Sequence, residues 1–169
     1  YACVILTELG VNNERISAEA TARKYVEPSF DNDKERKNLF YVSESMFFPP
    51  TATVKSGAKF YAQNYPNFSF DIFNSILEIF EINSKKTMRS LSKGMKKQVA
   101  FWLAMSAMPE VLILDEPLDG LDPVMRKQVL NLVIADVADR ELTVLVSSHN
   151  LRELEDICDW VGIIHNGEM

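Results

Sequence analysis

The amino-acid sequence predicts an α/β fold in which a mostly parallel sheet carries an inserted all-helical lobe. After Pro109, apolar runs of strand length alternate with helical segments, which is typical of a parallel sheet covered on both faces. Before Pro109, three helical segments follow one another without strands and predict the lobe. The elements predicted after Pro109 are the strand Val111–Asp115, the helix Val124–Asp139, the strand Leu142–Ser148, the helix Leu151–Cys158 and the strand Trp160–Gly167.

Length, charge and cysteine content limit the class of protein. The 169 residues suffice for one domain with a substantial core. The 18 basic residues are outnumbered by 24 acidic ones, so we expect no nucleic-acid partner. Cys3 and Cys158 lack C-x-x-C spacing and predict free thiols in a reducing compartment. No apolar run approaches the roughly 20 residues that cross a bilayer, so any work at a membrane would go through a partner.

The opening run, Tyr1–Leu9, is too short for its period to separate a helix from a buried strand. Gly10, followed by Asn12 and Asn13, is a typical helix stop. These residues therefore favour a helix over the strand. The run has no initiator Met and no helix start signal, and we expect that the protein begins further upstream.

The lobe is introduced by a short strand and a break. Leu39–Ser43 predicts a buried strand, and Met46–Thr51, with its two prolines, predicts an end to regular structure. Ser69 or Asp71 can cap the second helix of the lobe. The predicted helices are Ala52–Asn64, Phe70–Ile82 and Gly94–Met108.

Two acids follow a strand at the edge where ligands of parallel sheets gather. Asp115 and Glu116 come directly after the apolar residues Val111–Leu114. Asp115 can hold Mg²⁺, while Glu116 can orient or deprotonate an attacking water. The residues alone leave open that both acids cap a turn whose geometry Pro117 sets.

A second group of residues suits an anion. Ser92 and Gly94 start a helix, whose first N–H groups are unpaired, and Lys93 and Lys96 add positive charge. The alternative is an ordinary serine N-cap with solvated lysines. His149 follows the next strand and can touch a phosphate or the attacking water, whereas we interpret His165 as a surface residue.

As a set, these motifs resemble the nucleotide-binding domain of ATP-binding cassette (ABC) proteins, over residues 39–167. The run LSKGM resembles the signature sequence, VLILDE the Walker B strand, LDGLD the D-loop, SSH the switch-histidine loop and YVSES the Q-loop. The resemblance implies a P-loop NTPase core. It divides the chain into residues 1–44 of the core, residues 45–108 with the Q-loop and helical subdomain, and residues 109–169 with the Walker B strand, the D-loop and the switch histidine.

The resemblance also implies roles for residues at an ATP and Mg²⁺ site. Asp115 and Glu44 would support the metal, with Glu44 standing where the family has Gln. Glu116 would be the catalytic base, and His149 would sense the γ-phosphate. Asp122 would connect the two sites of a dimer. Ser92 and Gly94 would contact the γ-phosphate of ATP bound to the opposite subunit. The cofactor-binding residues would also include Glu44, Asp122 and Lys93, of which Lys93 departs from the family's signature.

The implied protein is an ATPase subunit that works as a head-to-tail dimer and drives separate transmembrane permease subunits. Met46, Phe47 and Phe48 would contact the permease at the cytoplasmic face of the cell membrane, or they simply pack the lobe. The SKGM form of the signature favours export. The alternatives are a soluble ABC ATPase in translation or DNA maintenance and a catalytically silent ABC module.

One motif of the family is missing. The sequence contains no G-x-x-x-x-G-K-[ST], and the run Gly10–Ser17 has Arg15 and Ile16 where Gly and Lys are required. The β- and γ-phosphates therefore lack their main cradle within these residues. We expect the core to be incomplete at its N-terminus, with the loop just before Tyr1, and the 169 residues alone to be inactive.

Overall fold

The computed structural model describes residues 2–7, 36–44, 46–140, 142–150, 152 and 157–164. The strands are β1 (Ala2–Thr7), β2 (Leu39–Val42), β3 (Val111–Asp115), β4 (Thr143–Ser148) and β5 (Trp160–Ile164). The helices are α1 (Val54–Asn64), α2 (Phe70–Ile79), α3 (Lys93–Ala107) and α4 (Pro123–Arg140), and a single 3₁₀ turn covers Met88–Ser90. Most of the predicted helix Leu151–Cys158 lies outside the described residues.

The five strands form one sheet in the order β2-β3-β4-β1-β5. β2, β3 and β4 are parallel neighbours, whereas β1 is antiparallel to both β4 and β5. Four strands therefore run in one direction and β1 runs against them. The predicted α/β fold with a mostly parallel sheet is confirmed.

The prediction of a helix over Tyr1–Leu9 is wrong, because Ala2–Thr7 form β1. Val4, Ile5 and Thr7 are β-branched and fit strands better than helices. β1 also pairs on both sides, which satisfies its backbone donors and acceptors as fully as a helix would. Gly10 and the connection that contains it lie outside the described residues.

The first two helices of the lobe begin at side-chain caps, of which only the one at Ser69 was predicted. Thr53 accepts from the amide of Ser56 at 3.1 Å while its own amide donates to the Ser56 hydroxyl at 2.8 Å, which forms a capping box. Ser69, one of the two predicted candidates, caps α2 by accepting from the Ile72 amide at 3.2 Å. The helix ends at Ile79 instead of Ile82, because Glu81 has a left-handed backbone with φ of 52°.

Helix α3 joins the lobe to the sheet. Ten of its 15 residues are buried, and it packs against α1 and α2 on one side and against β2 and α4 on the other. Trp102 is fully buried, and its ring lies 5.0 Å from that of Phe80 at the end of α2. One apolar core therefore runs from the lobe into the sheet.

Two smaller findings concern the thiols and the helices. Among the described residues, Cys158 takes part in no disulfide, whereas the side chain of Cys3 lies outside the described part of the chain. Within the described ranges, no helix has the length and apolar character needed to span a bilayer.

Candidate nucleotide site

Asp115 and Glu116, which form the acid cluster together with the side chains that contact them, lie where β2, β3 and β4 end at one edge of the sheet. Asp115 is the last residue of β3 and pairs in register with Ser147 of β4. Side chains at paired positions of neighbouring strands lie on the same face. The register therefore places a hydroxyl beside the carboxylate of Asp115.

Both carboxylate oxygens of Asp115 accept hydrogen bonds. The Ser147 hydroxyl donates to Oδ1 at 2.7 Å, and the Tyr41 hydroxyl of β2 donates to Oδ2 at 3.1 Å. Burial raises the pKa of Tyr41, and its hydrogen bond to Asp115 and the charge of that carboxylate raise it further. Tyr41 therefore stays protonated and able to donate at neutral pH. The two donors fix the orientation of the Asp115 carboxylate.

Glu116 has a left-handed backbone, with φ of 45°. Such a conformation costs a non-glycine residue about 1–3 kcal/mol and persists only where its surroundings hold it. Its amide donates both to the Ser147 carbonyl at 3.2 Å and to the Ser147 hydroxyl at 3.1 Å. Its carboxylate lies 2.9 Å from Nδ1 of His149. Three predicted residues, Asp115, Glu116 and His149, are thus brought together around Ser147.

The start of α3 forms a second cluster. Ser92 is the N-cap and accepts from the Met95 amide at 3.2 Å, as the simpler alternative predicted. Lys93 Nζ lies 3.9 Å from Oε1 of Glu44, and both side chains are largely exposed, so this ion pair is weak. Glu44 faces α3 across a cleft of about 240 Å³. Other residues that line this cleft are Ser43, Met46, Lys96 and Lys97.

Gly94 packs against the turn that follows the acids. A Cβ at position 94 would lie 3.5 Å from the Gly120 carbonyl oxygen and 3.9 Å from Cδ2 of Leu121, which is ordinary van der Waals contact. The fold of the described residues therefore has room for a methyl group here. Asp122, a few residues on, caps α4 by accepting from the amides of Val124 and Met125 at 3.1 and 3.0 Å.

The two clusters are adjacent but not directly bonded. Among the described residues, neither Ser92 nor Gly94 has a hydrogen bond to the acids. The described part of the chain also includes no group of three or more His, Cys, Asp or Glu side chains that could hold a metal. The metal roles of Asp115 and Glu44 therefore stay predictions, and Mg²⁺ bound with phosphates needs only one or two carboxylates from the protein.

Sequence reasoning missed three residues of this region, namely Tyr41, Ser147 and Lys97. Tyr41 and Ser147 bond Asp115, and Lys97 donates to the carbonyls of Glu116 and Asp119. A signal was present for Lys97, which lies four residues before the buried Phe101 on the same face of α3. A lysine at such a position needs a specific acceptor.

The apolar residues after β2 divide into two kinds. Met46 and Phe48 are partly buried against the core, whereas Phe47 is 84% exposed. Together they border a groove of about 430 Å³. The groove is completed by Pro50, Met88, Arg89 and Lys96.

The sheet order, the acid cluster and the inserted lobe define a protein of the P-loop ATPase fold class. The family model described as "AAA domain, putative AbiEii toxin, Type IV TA system" matches residues 10–155. The chain belongs to this AAA-domain family and is, more narrowly, a nucleotide-binding domain of the ABC type. The resemblance seen in the sequence is confirmed.

Named relatives support this assignment. The chain is 33% identical over 136 residues to the ABC transporter ATP-binding protein YtrB of Bacillus subtilis, covering 80% of this chain and 47% of that protein. It is 41% identical over 101 residues to the bacitracin transport ATP-binding protein BcrA of Bacillus licheniformis, covering 57% of this chain and 33% of that one. The chain thus spans half or less of the length of these relatives.

A solved ATP-binding subunit of an ABC transporter shares the fold. It superposes with a TM-score of 0.76 at 23% identity, over 97% of this chain and 77% of that one. A dimeric post-hydrolysis state of an ATP-binding cassette protein bound to ADP and Pi superposes with a TM-score of 0.61 at 19% identity, over 73% and 59% of the two chains.

The strain at Glu116 can be measured. We expect Glu116→Gly to have a free energy of unfolding about 1 kcal/mol above that of Glu116→Ala, because only glycine adopts the left-handed conformation without steric cost. Urea denaturation of the two variants measures the difference. Lys127, an exposed residue within α4, is the control. There the alanine variant should be more stable than the glycine variant by a similar amount. Equal stability of the two Glu116 variants would show that the strain is absent.

Proposed function

We propose that the protein is the ATP-hydrolysing subunit of an ABC transporter, acting on Mg²⁺-ATP. The observation that carries this proposal is the cluster in which Ser147 bonds Asp115 and Glu116 while Glu116 contacts His149. The cluster provides an oriented carboxylate for a metal, a second carboxylate for a water and a histidine for the terminal phosphate. The cluster itself includes no cradle for the β- and γ-phosphates, since the sequence contains no G-x-x-x-x-G-K-[ST].

Each residue of the cluster has a separate task in this mechanism. Asp115, oriented through both oxygens, would hold the metal, which when bound neutralises charge on the phosphates. Glu116 would take the proton of the attacking water. To do so its carboxylate would exchange the 2.9 Å contact with His149 for one with that water. His149 would then be free to donate to the terminal phosphate.

The proposed base is tested by Glu116→Gln in the full-length protein. We expect ATP turnover to fall by about 10²–10⁴-fold, because the amide cannot accept the proton. ATP affinity should be preserved and ATP-bound dimers should accumulate, as size-exclusion chromatography would detect. Glu78→Gln, which changes an exposed carboxylate on α2, is the control. Unchanged turnover in Glu116→Gln would remove Glu116 as the base.

A head-to-tail dimer explains the glycine at position 94. Glycine in a helix is unfavourable relative to alanine, and the described residues leave room for a Cβ at this position. The packing of the described residues therefore gives no reason for Gly94. A phosphate of ATP bound to a second copy, approaching the α3 N-terminus closely, supplies that reason.

The variant Gly94→Ala tests separately the stability of the helix and the binding of a second copy. We expect the free energy of unfolding to rise by at most about 1 kcal/mol, because alanine favours the helix. ATP-dependent dimerisation should weaken by at least about tenfold, because the methyl group crowds the phosphate of the second copy. Analytical ultracentrifugation with ATP measures this change.

Gly57→Ala in α1 is the matched control for dimerisation. Its Cβ would meet only side-chain ends, 3.4 Å from Cε of Met88 and 3.8 Å from Cδ1 of Leu103. If Gly94→Ala dimerised with ATP as well as the unchanged protein does, position 94 would have no role in a sandwiched ATP.

A membrane permease is the proposed partner, contacted at the cytoplasmic face of the membrane. The relatives are named as an ABC transporter ATP-binding protein (YtrB) and a bacitracin transport ATP-binding protein (BcrA), and the SKGM signature favours export. Phe47 is 84% exposed beside the 430 Å³ groove, so an apolar segment of a partner can bury it. Met46 and Phe48 already pack partly against the core and would shape the groove.

Phe47→Ser tests this contact. We expect recovery of the permease with the tagged full-length protein to fall at least severalfold, because most of the Phe47 ring would be buried at the interface. Quantitative mass spectrometry of solubilised membranes measures the recovery. Phe60→Ser, which removes a ring that is 61% exposed on α1, is the control. Absence of any membrane protein with the unchanged chain would favour a soluble ABC ATPase instead.

A further inference from the structure

Lys97 lies in the second turn of α3 and is 5% exposed, which makes it the only buried charged side chain within the described ranges. Its Nζ donates to the carbonyl oxygens of Glu116 and Asp119 at 2.7 and 2.6 Å. A buried ammonium is costly unless it is hydrogen-bonded, so these two carbonyls hold it in place. Burial lowers the pKa of Lys97, whereas the charge of Asp119 acts in the opposite sense.

The two carbonyls belong to the ends of one turn. The amide of Asp119 also donates to the Glu116 carbonyl, but over 3.3 Å, which is long for a backbone hydrogen bond. The two bonds from Lys97 are shorter, and a charged donor makes them stronger. The hydrogen bonds from Lys97 therefore contribute more than the backbone bond to closing the turn between Glu116 and Asp119.

The backbone of Glu116 is consequently held at both of its polar groups. Ser147 binds its amide, and Lys97 binds its carbonyl. With both groups held, the residue stays in its left-handed conformation, and its carboxylate stays directed at His149. Without the bond to the carbonyl, the backbone would be free to relax toward an ordinary negative φ, which would redirect the carboxylate.

We propose that Lys97 is a positioning residue for ATP hydrolysis, which holds Glu116 in the orientation that the reaction needs. The inference rests on the proposed function, since it acts through the proposed base. It also ties the start of α3, which contains Ser92 and Gly94, to the turn that carries that base.

The test uses Lys97→Met in the full-length protein, which removes the ammonium and keeps an apolar stem. We expect kcat to fall by about 10- to 100-fold, because a small misplacement of a catalytic group has an effect of this size. KM for ATP should stay within about threefold, since no contact to ATP is removed. Lys97→Arg should recover most of kcat, because its guanidinium can donate to both carbonyls. Lys59→Met, at an exposed site on α1, is the control.

The outcomes separate this inference from the proposed function. An unchanged protein that does not hydrolyse ATP would overturn both. If the unchanged protein hydrolyses ATP, either of two results would overturn the inference alone. The first is a kcat of folded Lys97→Met within about twofold of that of the unchanged protein. The second is a kcat of Lys97→Arg no higher than that of Lys97→Met. If Lys97→Met does not fold, Lys97→Leu, which likewise has no hydrogen-bond donor, is judged by the same criteria.

Discussion

The parallel register of β3 and β4 is the constraint on which the site depends. It pairs Asp115 with Ser147, so that one hydroxyl donates to the Asp115 carboxylate and accepts from the amide of Glu116. A shift of one residue would turn Ser147 to the opposite face of the sheet and break both bonds. The left-handed turn at Glu116 and its contact with His149 would then lose their support.

How far the fold could be predicted depended on where the pairing partners lie. The bounds of β3 (Val111–Asp115) were predicted correctly, because Pro109 and the two acids delimit a short apolar run. The run Tyr1–Leu9 was misassigned, because its conformation depends on β4 and β5, more than a hundred residues away. Local signals such as Gly10 cannot report such pairing, and tertiary contacts override the propensity of a short segment.

The residues of the candidate site also differ in whether the sequence alone predicts them. Asp115, Glu116 and His149 could be predicted, since their positions directly after apolar strands identify them. Tyr41 and Lys97 could not, because their roles are contacts that join residues 74 and 19 positions apart in the chain. Tyr41 is also an ordinary residue type for a strand. The spacing of Lys97 from Phe101 indicates only that the lysine needs an acceptor, and does not identify which one. Only the packed sheet and α3 bring Tyr41 and Lys97 into contact with the acids and their turn.

Helix α3 makes the lobe and the site mechanically one unit. Its 15 residues form a stiff rod of about 22 Å. Lys96, near the end that Ser92 caps, borders both the groove beside Phe47 and the cleft beside Glu44. Lys96, which borders the groove, and Lys97, which bonds the turn after the acids, are neighbours on this rod. The groove and the turn of the acids are therefore joined through one helix, without any intervening loop.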